Sequence, residues 1–239
     1  MQDLWNGFRY EKFTFEGRNA IVVFPEEGTA NGRLALKTEY WGAFPDVEIR
    51  LLKKGFHLAF LKNETRFVTK EDCDIRATFV RHLAKEYGLN EKCVPIGMSL
   101  GGAQAVLFAG YHPELVSCIY LDAPCLNYCM YTKPRFRDIW DNEFLSAYPG
   151  TKYHQILSLP DHPINMADVL VEHRIPVMLV YGTEDLTVLY EDNGHMLAQA
   201  YKGTGLLQTF AVDNRGHHPH GAFDGNDRIV EFIMTHCGV

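Results

Sequence analysis

Short apolar, β-branched runs alternate along this chain with longer stretches of helical period. Ala20-Ile21-Val22-Val23-Phe24, within residues 18–25, reads as a strand stopped by Pro25. Further strands are predicted over 33–40, 56–61, 92–96, 117–121, 176–181 and 208–212. Between them, residues 74–87 repeat Ile75, Phe79 and Leu83 at steps of four, and Gly88 follows as a C-terminal stop. Residues 100–111 are rich in Ala and Leu and end before His112-Pro113, and residues 227–236 place Ile229, Phe232 and Ile233 on one face. Strands alternating with helices predict an α/β fold, with a mostly parallel central sheet flanked by helices on both faces. Reactive groups in such sheets gather at the carboxyl ends of the strands.

One stretch interrupts the alternation. Residues 124–163 have no clean period but carry Tyr128, Tyr131, Phe136, Trp140, Phe144, Tyr148 and Tyr153. That aromatic content predicts a packed cap over the reactive edge, inserted into a single domain spanning 1–239.

Composition narrows the partners. A chain of 239 residues buries a core without disulfides or a structural metal. Its formal charge of −7 disfavours nucleic acid and anionic membrane surfaces, both of which select basic patches. A small-molecule substrate is expected instead, bound by a monomer or a homodimer. The cysteines at 73, 93, 118, 125, 129 and 237 are scattered, and a zinc site at Cys125-x-x-x-Cys129 would need two more ligands at matching spacing. They are read as free thiols. The first residues carry neither a basic nor an apolar signal region, and no apolar run is long enough to span a bilayer, so a cytoplasmic location is expected.

The segment Lys92-Cys93-Val94-Pro95-Ile96-Gly97-Met98-Ser99-Leu100-Gly101-Gly102 runs from a predicted strand through Gly-x-Ser-x-Gly into a predicted helix. A strand-to-helix turn this tight needs small residues either side of its centre, and it lifts the central hydroxyl above the sheet edge. Ser99 is the expected nucleophile, and the backbone N–H of Leu100 an expected oxyanion donor at the positive end of the helix. Pro95 lacks the N–H a sheet ladder needs and predicts an irregularity in its strand.

A serine nucleophile needs a base, and the base an orienting carboxylate. Asp213-Asn214-Arg215-Gly216-His217-His218-Pro219-His220-Gly221 follows the last predicted strand. His217, preceded by a glycine that permits close approach, is the first choice, with His218 and His220 as alternatives. A histidine metal site is the rival reading of this cluster. For the acid, the apolar run 176–181 leads into Gly182-Thr183-Glu184-Asp185. Asp185 is preferred over its neighbour Glu184. Asp122, at the end of the run 117–121, is the competitor, with shaping of the active-site floor or binding of the cap backbone as its other role. The order Ser99, Asp185, His217 is the one expected for a nucleophile-elbow hydrolase.

With these motifs the chain resembles the α/β-hydrolase superfamily over nearly its whole length. The resemblance implies that a second oxyanion donor comes from the loop after the third strand of that fold, here Glu39-Tyr40-Trp41-Gly42-Ala43-Phe44-Pro45, through Trp41 or Ala43. The same phrase, with Gly216-His217-His218-Pro219-His220-Gly221, resembles small bacterial esterases, some of whose relatives act on plant-polysaccharide esters. The expected reaction is therefore carboxylic ester hydrolysis with no metal or organic cofactor. A thioesterase, peptidase or acyltransferase would use the same triad, and a non-catalytic ligand receptor would use the same scaffold.

Overall fold

The computed structural model describes residues 3–217 and 226–238. Within them the strands are β1 Leu4–Trp5, β2 Phe8–Phe15, β3 Arg18–Val23, β4 Leu34–Lys37, β5 His57–Leu61, β6 Cys93–Met98, β7 Ile119–Asp122, β8 Val177–Gly182 and β9 Leu207–Val212. They form one sheet in the order β1-β2-β3-β5-β4-β6-β7-β8-β9. From β5 through β4 to β9 all pairs are parallel, whereas β1, β2 and β3 join antiparallel at one edge.

The helices are α1 Asp46–Lys53, α2 Lys70–Tyr87, α3 Leu100–Tyr111, α4 Ala167–Glu172, α5 Gly194–Ala200 and α6 Asn226–Cys237. Two apolar layers cover the sheet. On one face Phe79, Val80 and Leu83 of α2, Val106 and Phe108 of α3, and Leu170 of α4 pack on Leu34, Leu36, Ile119 and Leu179. On the other, Val47 and Leu51 of α1 and Ile229 and Ile233 of α6 pack on Val23, Ala35, Val94 and Val180. α3 is buried from Leu100 through Ala109, which explains why its sequence is apolar all round.

Each predicted strand and helix has a counterpart, with shifted ends. α2 begins at Lys70 rather than 74 because Thr69 accepts a hydrogen bond from the Asp72 N–H while the Asp72 carboxylate accepts from the Thr69 N–H. Its other end is closed by Gly88 at φ +64°. The strand expected over 33–40 stops at Lys37, since Tyr40 takes φ +54° and turns the chain out of the sheet. The irregularity expected at Pro95 is present. β6 pairs with β7 only over Ile96–Met98 and at an isolated Cys93–Val116 bridge, so the ladder is interrupted around the residue without an N–H.

Residues 124–163 do not form a regular layer. Short 3₁₀ turns at Tyr128–Thr132, Pro134–Phe136 and Tyr153–Ser158 flank a helical run that passes through a π turn at Trp140–Phe144. Phe67, Tyr128, Tyr131, Trp140, Phe144 and Tyr148 cluster there with Leu100 and Ala103, the first turn of α3. The Trp140 and Phe144 rings stack at 4.4 Å between centroids, and Phe67 meets Tyr128, Tyr131 and Phe144 edge-on at 5.0–5.2 Å. No helix among the described residues is long and apolar enough to cross a membrane.

Candidate active site

Ser99 stands between β6 and α3 at φ +52°, ψ −123°, a conformation that L residues hold only when their surroundings enforce it. The enforcement is visible. The Ser99 N–H donates to the Asp122 carbonyl at 3.0 Å, and the Ser99 carbonyl accepts from the N–H groups of Gly102 and Cys125, each at 2.9 Å. Two nearby glycines are sterically required: a Cβ on Gly97 would lie 2.3 Å from the Gly101 carbonyl oxygen, and one on Gly102 would lie 2.4 Å from Cβ of Pro124, whereas one on Gly101 would meet Cβ of Glu39 at 3.1 Å.

The hydroxyl faces His217, with Ser99 Oγ 3.1 Å from Nε2. Nδ1 of the same ring is 2.7 Å from Oδ2 of Asp185. Because Asp185 accepts at Nδ1–H, Nε2 presents its lone pair to the Ser99 hydroxyl. Oδ1 of Asp185 accepts the N–H groups of Thr187 at 2.8 Å and Val188 at 2.9 Å. Burial by itself would raise the Asp185 pKa, but the hydrogen bonds from His217, Val188 and Thr187 and the His217 charge outweigh it and hold the carboxyl below its ordinary value.

A second glycine, on the facing strand, also helps bring His217 there. A Cβ on Gly216 would meet no heavy atom of the described residues, whereas one on Gly182 would lie 2.3 Å from the Arg215 carbonyl oxygen and 2.4 Å from that of Gly216. The close approach is thus made at the end of β8, and the Glu184 N–H fastens it by donating to the Arg215 carbonyl at 2.8 Å. Glu184 itself is exposed, in contrast to buried Asp185. Asp122 is also buried, but it accepts the Tyr120 hydroxyl at 3.2 Å and supports Ser99 through its backbone, while the imidazole pairs with Asp185. Asn193 and His162 hold the backbone that follows β7. Asn193 Oδ1 accepts the N–H groups of Leu126 and Asn127 at 2.8 and 3.0 Å, and His162 Nε2 accepts that of Tyr128 at 3.1 Å. His218 and His220 lie outside the described residues.

The loop after β4 is strapped to the nucleophile turn by Thr38, whose hydroxyl donates to the Gly101 carbonyl at 2.7 Å. Of the two donors expected there, Ala43 is excluded: its N–H closes a turn onto the Tyr40 carbonyl at 3.0 Å. The Trp41 N–H makes no hydrogen bond to the described residues, and neither does that of Leu100 at the start of α3.

Three contacts here left no trace in the sequence reading. Cys125 Sγ lies 3.7 Å from Ser99 Oγ and accepts the Tyr131 hydroxyl at 3.4 Å. Burial pushes its pKa up to about 11, against the opposing hydrogen bonds, so it meets Ser99 as a neutral thiol. Arg66 grips Glu143 of the cap through two N–H groups, and its Nη1 reaches the Tyr40 hydroxyl at 3.4 Å. Lys37, buried at the end of β4, bonds Glu48 of α1 and the Ala43 carbonyl. None of the three lies in a recognisable motif: the Cys125 and Arg66 contacts join segments far apart in the chain, and Lys37 bonds residues 6 and 11 positions on at no periodic spacing.

The prolyl oligopeptidase family matches residues 59–237 of this chain. No curated protein matches it. Among solved structures, Est1E from Butyrivibrio proteoclasticus is similar at 16% identity and a TM-score of 0.70, over 96% of this chain and 99% of its own. A puromycin-hydrolyzing peptidase of Mycobacterium tuberculosis is similar at 14% identity and a TM-score of 0.75, over 97% of this chain and 40% of its own. A puromycin hydrolase shares 15% identity at a TM-score of 0.73, over 97% of this chain and 39% of its own, so this chain spans about two fifths of the length of those two enzymes. At these identities the structural likeness is one of fold, and the fold is that of the α/β hydrolases.

Proposed function

The chain belongs to the prolyl oligopeptidase family of α/β-fold hydrolases, and on that premise we propose that it cleaves carboxylic esters through an acyl-enzyme on Ser99. The observation that carries the reading is the unbroken line Ser99 Oγ, His217 Nε2, His217 Nδ1, Asp185 Oδ2, at 3.1 and 2.7 Å. His217 takes the Ser99 proton as Oγ attacks the ester carbonyl, and Asp185 holds the imidazole tautomer and stabilises its charge. The N–H groups of Leu100 and Trp41 receive the oxyanion. Collapse of the tetrahedral intermediate breaks the bond to the alcohol, which leaves with the proton from His217. Water, deprotonated by the same imidazole, then releases the acid. Each step moves a proton or an acyl group among residues of this chain and its substrate, with no cofactor taking part.

The aromatic cluster of 124–163 packs on the first turn of α3 and reaches Ser99 through Cys125 and Tyr131. Such a wall suits an apolar or planar aromatic acyl group, a feruloyl ester on carbohydrate as well as a short acyl chain. A second reading is peptide or amide cleavage by the same residues, favoured by the family match and by the puromycin-hydrolysing structures of the same fold. A panel of p-nitrophenyl acyl esters, acetylated sugars, feruloyl esters and aminoacyl anilides on the purified chain tests both. Ester turnover abolished by a fluorophosphonate on Ser99 is the expected outcome. Turnover of anilides at the expense of esters would transfer the reading to the peptidase.

A further inference from the structure

The loop proposed to supply the second oxyanion donor is held in an unfavourable shape. Tyr40, Gly42 and Phe44 have φ of +54°, +82° and +46°, and only the middle one is glycine. Two non-glycine residues in the left-handed region do not stay there without an external hold. The hold comes from below. Lys37 pairs in register with Phe60 of β5 and Ile96 of β6, so its Cα is fixed by the centre of the sheet. Its ammonium donates to the Glu48 carboxylate and, at 3.2 Å, to the carbonyl of Ala43, the residue whose N–H closes the turn onto Tyr40. Both side chains of the ion pair are only 3% exposed.

A buried ion pair is a poor device for stability alone, because desolvating two charges offsets most of their attraction and apolar residues of similar size often serve better. It does fix direction, and here the direction is that of the Ala43 peptide. The cavity beside it, among Lys37, Glu48, Gly97, Met98, Tyr120 and Asp122, is about 10 Å³. It has room for no substrate group, so Lys37 does not touch the substrate there, and its bond to the loop is the one to Ala43.

We infer that Lys37, locked by Glu48, is a positioning residue for acyl transfer: its bond to the Ala43 carbonyl holds the 40–44 turn so that the Trp41 N–H faces the developing oxyanion. This rests on the proposed serine-hydrolase reading. An oxyanion donor acts on the transition state and leaves the ground state nearly untouched. Loosening it therefore lowers kcat and spares KM.

The test compares the full-length chain with Lys37→Met and the double variant Lys37→Met/Glu48→Leu on the best p-nitrophenyl ester. The single variant is expected to lose about 10- to 100-fold in kcat, less than the 10²–10³ of deleting a donor outright. KM should stay within about twofold, and affinity for a trifluoromethyl ketone, whose adduct on Ser99 carries an oxyanion, should fall in parallel with kcat. The double variant removes the unpaired buried carboxylate and should recover the melting temperature while keeping the kcat loss. If Lys37→Met alone does not fold, the double variant carries the same comparison. Wild-type kcat in Lys37→Met, or kcat returning together with the melting temperature in the double variant, overturns the inference. A wild-type chain that turns over no ester and takes no fluorophosphonate on Ser99 removes the serine-hydrolase reading and this inference with it. An active, labelled wild type with an unaffected Lys37→Met removes this inference alone.

Discussion

The carbonyl oxygen of Arg215 occupies the space in which a side chain on Gly182 would begin: a Cβ built there lies 2.3 Å from it. Two residues 33 apart in sequence are thereby pressed together at the ends of β8 and β9, and His217 follows two residues later. Gly182→Ala must push this backbone away and withdraw the imidazole from Ser99. Since a misplacement of about 1 Å can cost about 10² in rate, kcat/KM for ester hydrolysis should fall by about that factor while the fold persists. Steady-state kinetics alongside circular dichroism check this, and near-native kcat/KM would show that the loop is placed by other contacts.

The backbone of Ser99 predicts a separation of stability from activity. At φ +52°, ψ −123°, a residue with a Cβ carries strain of about 1–3 kcal/mol, which glycine relieves in part. Ser99→Gly and Ser99→Ala should both lose hydrolysis by several orders of magnitude, yet the glycine variant should melt higher than the alanine one. A gain of about 1 kcal/mol corresponds to about 2–4 °C in a domain of this size. Thermal melts in parallel decide it, and the reverse order would mean that the turn is relaxed.

Two aspartates lie at or just past the ends of neighbouring strands, Asp122 closing β7 and Asp185 three residues beyond β8, and they are predicted to respond differently. Asp185→Asn removes the acceptor that sets the His217 tautomer and should lower kcat by about 10⁴, as expected when the orienting carboxylate of a triad is made neutral. Asp122→Asn keeps the backbone carbonyl that supports Ser99 and should cost far less. Their pH dependence differs too. The Asp185 pKa is depressed in the folded chain, so its carboxylate contributes stability that is complete above the unfolded value of about 3.9 and is lost as pH falls toward the lower folded value. The stability advantage of wild type over Asp185→Asn should shrink in that acid window, as read from urea midpoints between pH 5 and 3.

His162 predicts a second pH effect, of opposite chemistry. Burial lowers its pKa from 6.5 to about 4, and its Nε2 holds the Tyr128 N–H of the cap. The unfolded chain takes up the proton first, so stability falls as pH drops from about 6.5 to about 4 and is level below that. The stability lost across that window is on the order of a few kcal/mol. His162→Gln keeps an acceptor without a titrating ring, and the difference between the two proteins should trace this curve. Parallel pH profiles of wild type and His162→Gln would contradict it.

Most of the frame was legible because it follows from local rules. The runs at 93–96 and 177–180 are apolar throughout since β6 and β8 are buried on both faces, and Gly88 closes α2 by the conformation that glycine favours. The site was legible where a motif coincides with the end of a strand, as at Ser99, Asp185 and His217. The stretch 124–163 was legible as an aromatic segment without a period, because its 3₁₀ and π turns repeat at neither 3.6 nor 2 residues. The β2 strand was missed because Phe8–Phe15 is only half covered and mixes Arg9, Glu11 and Lys12 with its aromatics. Gly182 has no signature in the sequence, because its crowding depends on a strand pairing that a linear sequence does not display. Contacts such as Arg66 with Glu143 have no local signature at all.

The strand order has a consequence for how such a chain can change. β7 runs between β6, which ends at Ser99, and β8, which leads to Asp185, so whatever is inserted after β7 emerges midway between nucleophile and acid. The first residues of the stretch 124–163, Pro124 and Cys125, are tied to the nucleophile turn, since the Ser99 carbonyl accepts the Cys125 N–H at 2.9 Å, so the room for exchange that spares the reacting groups begins beyond them.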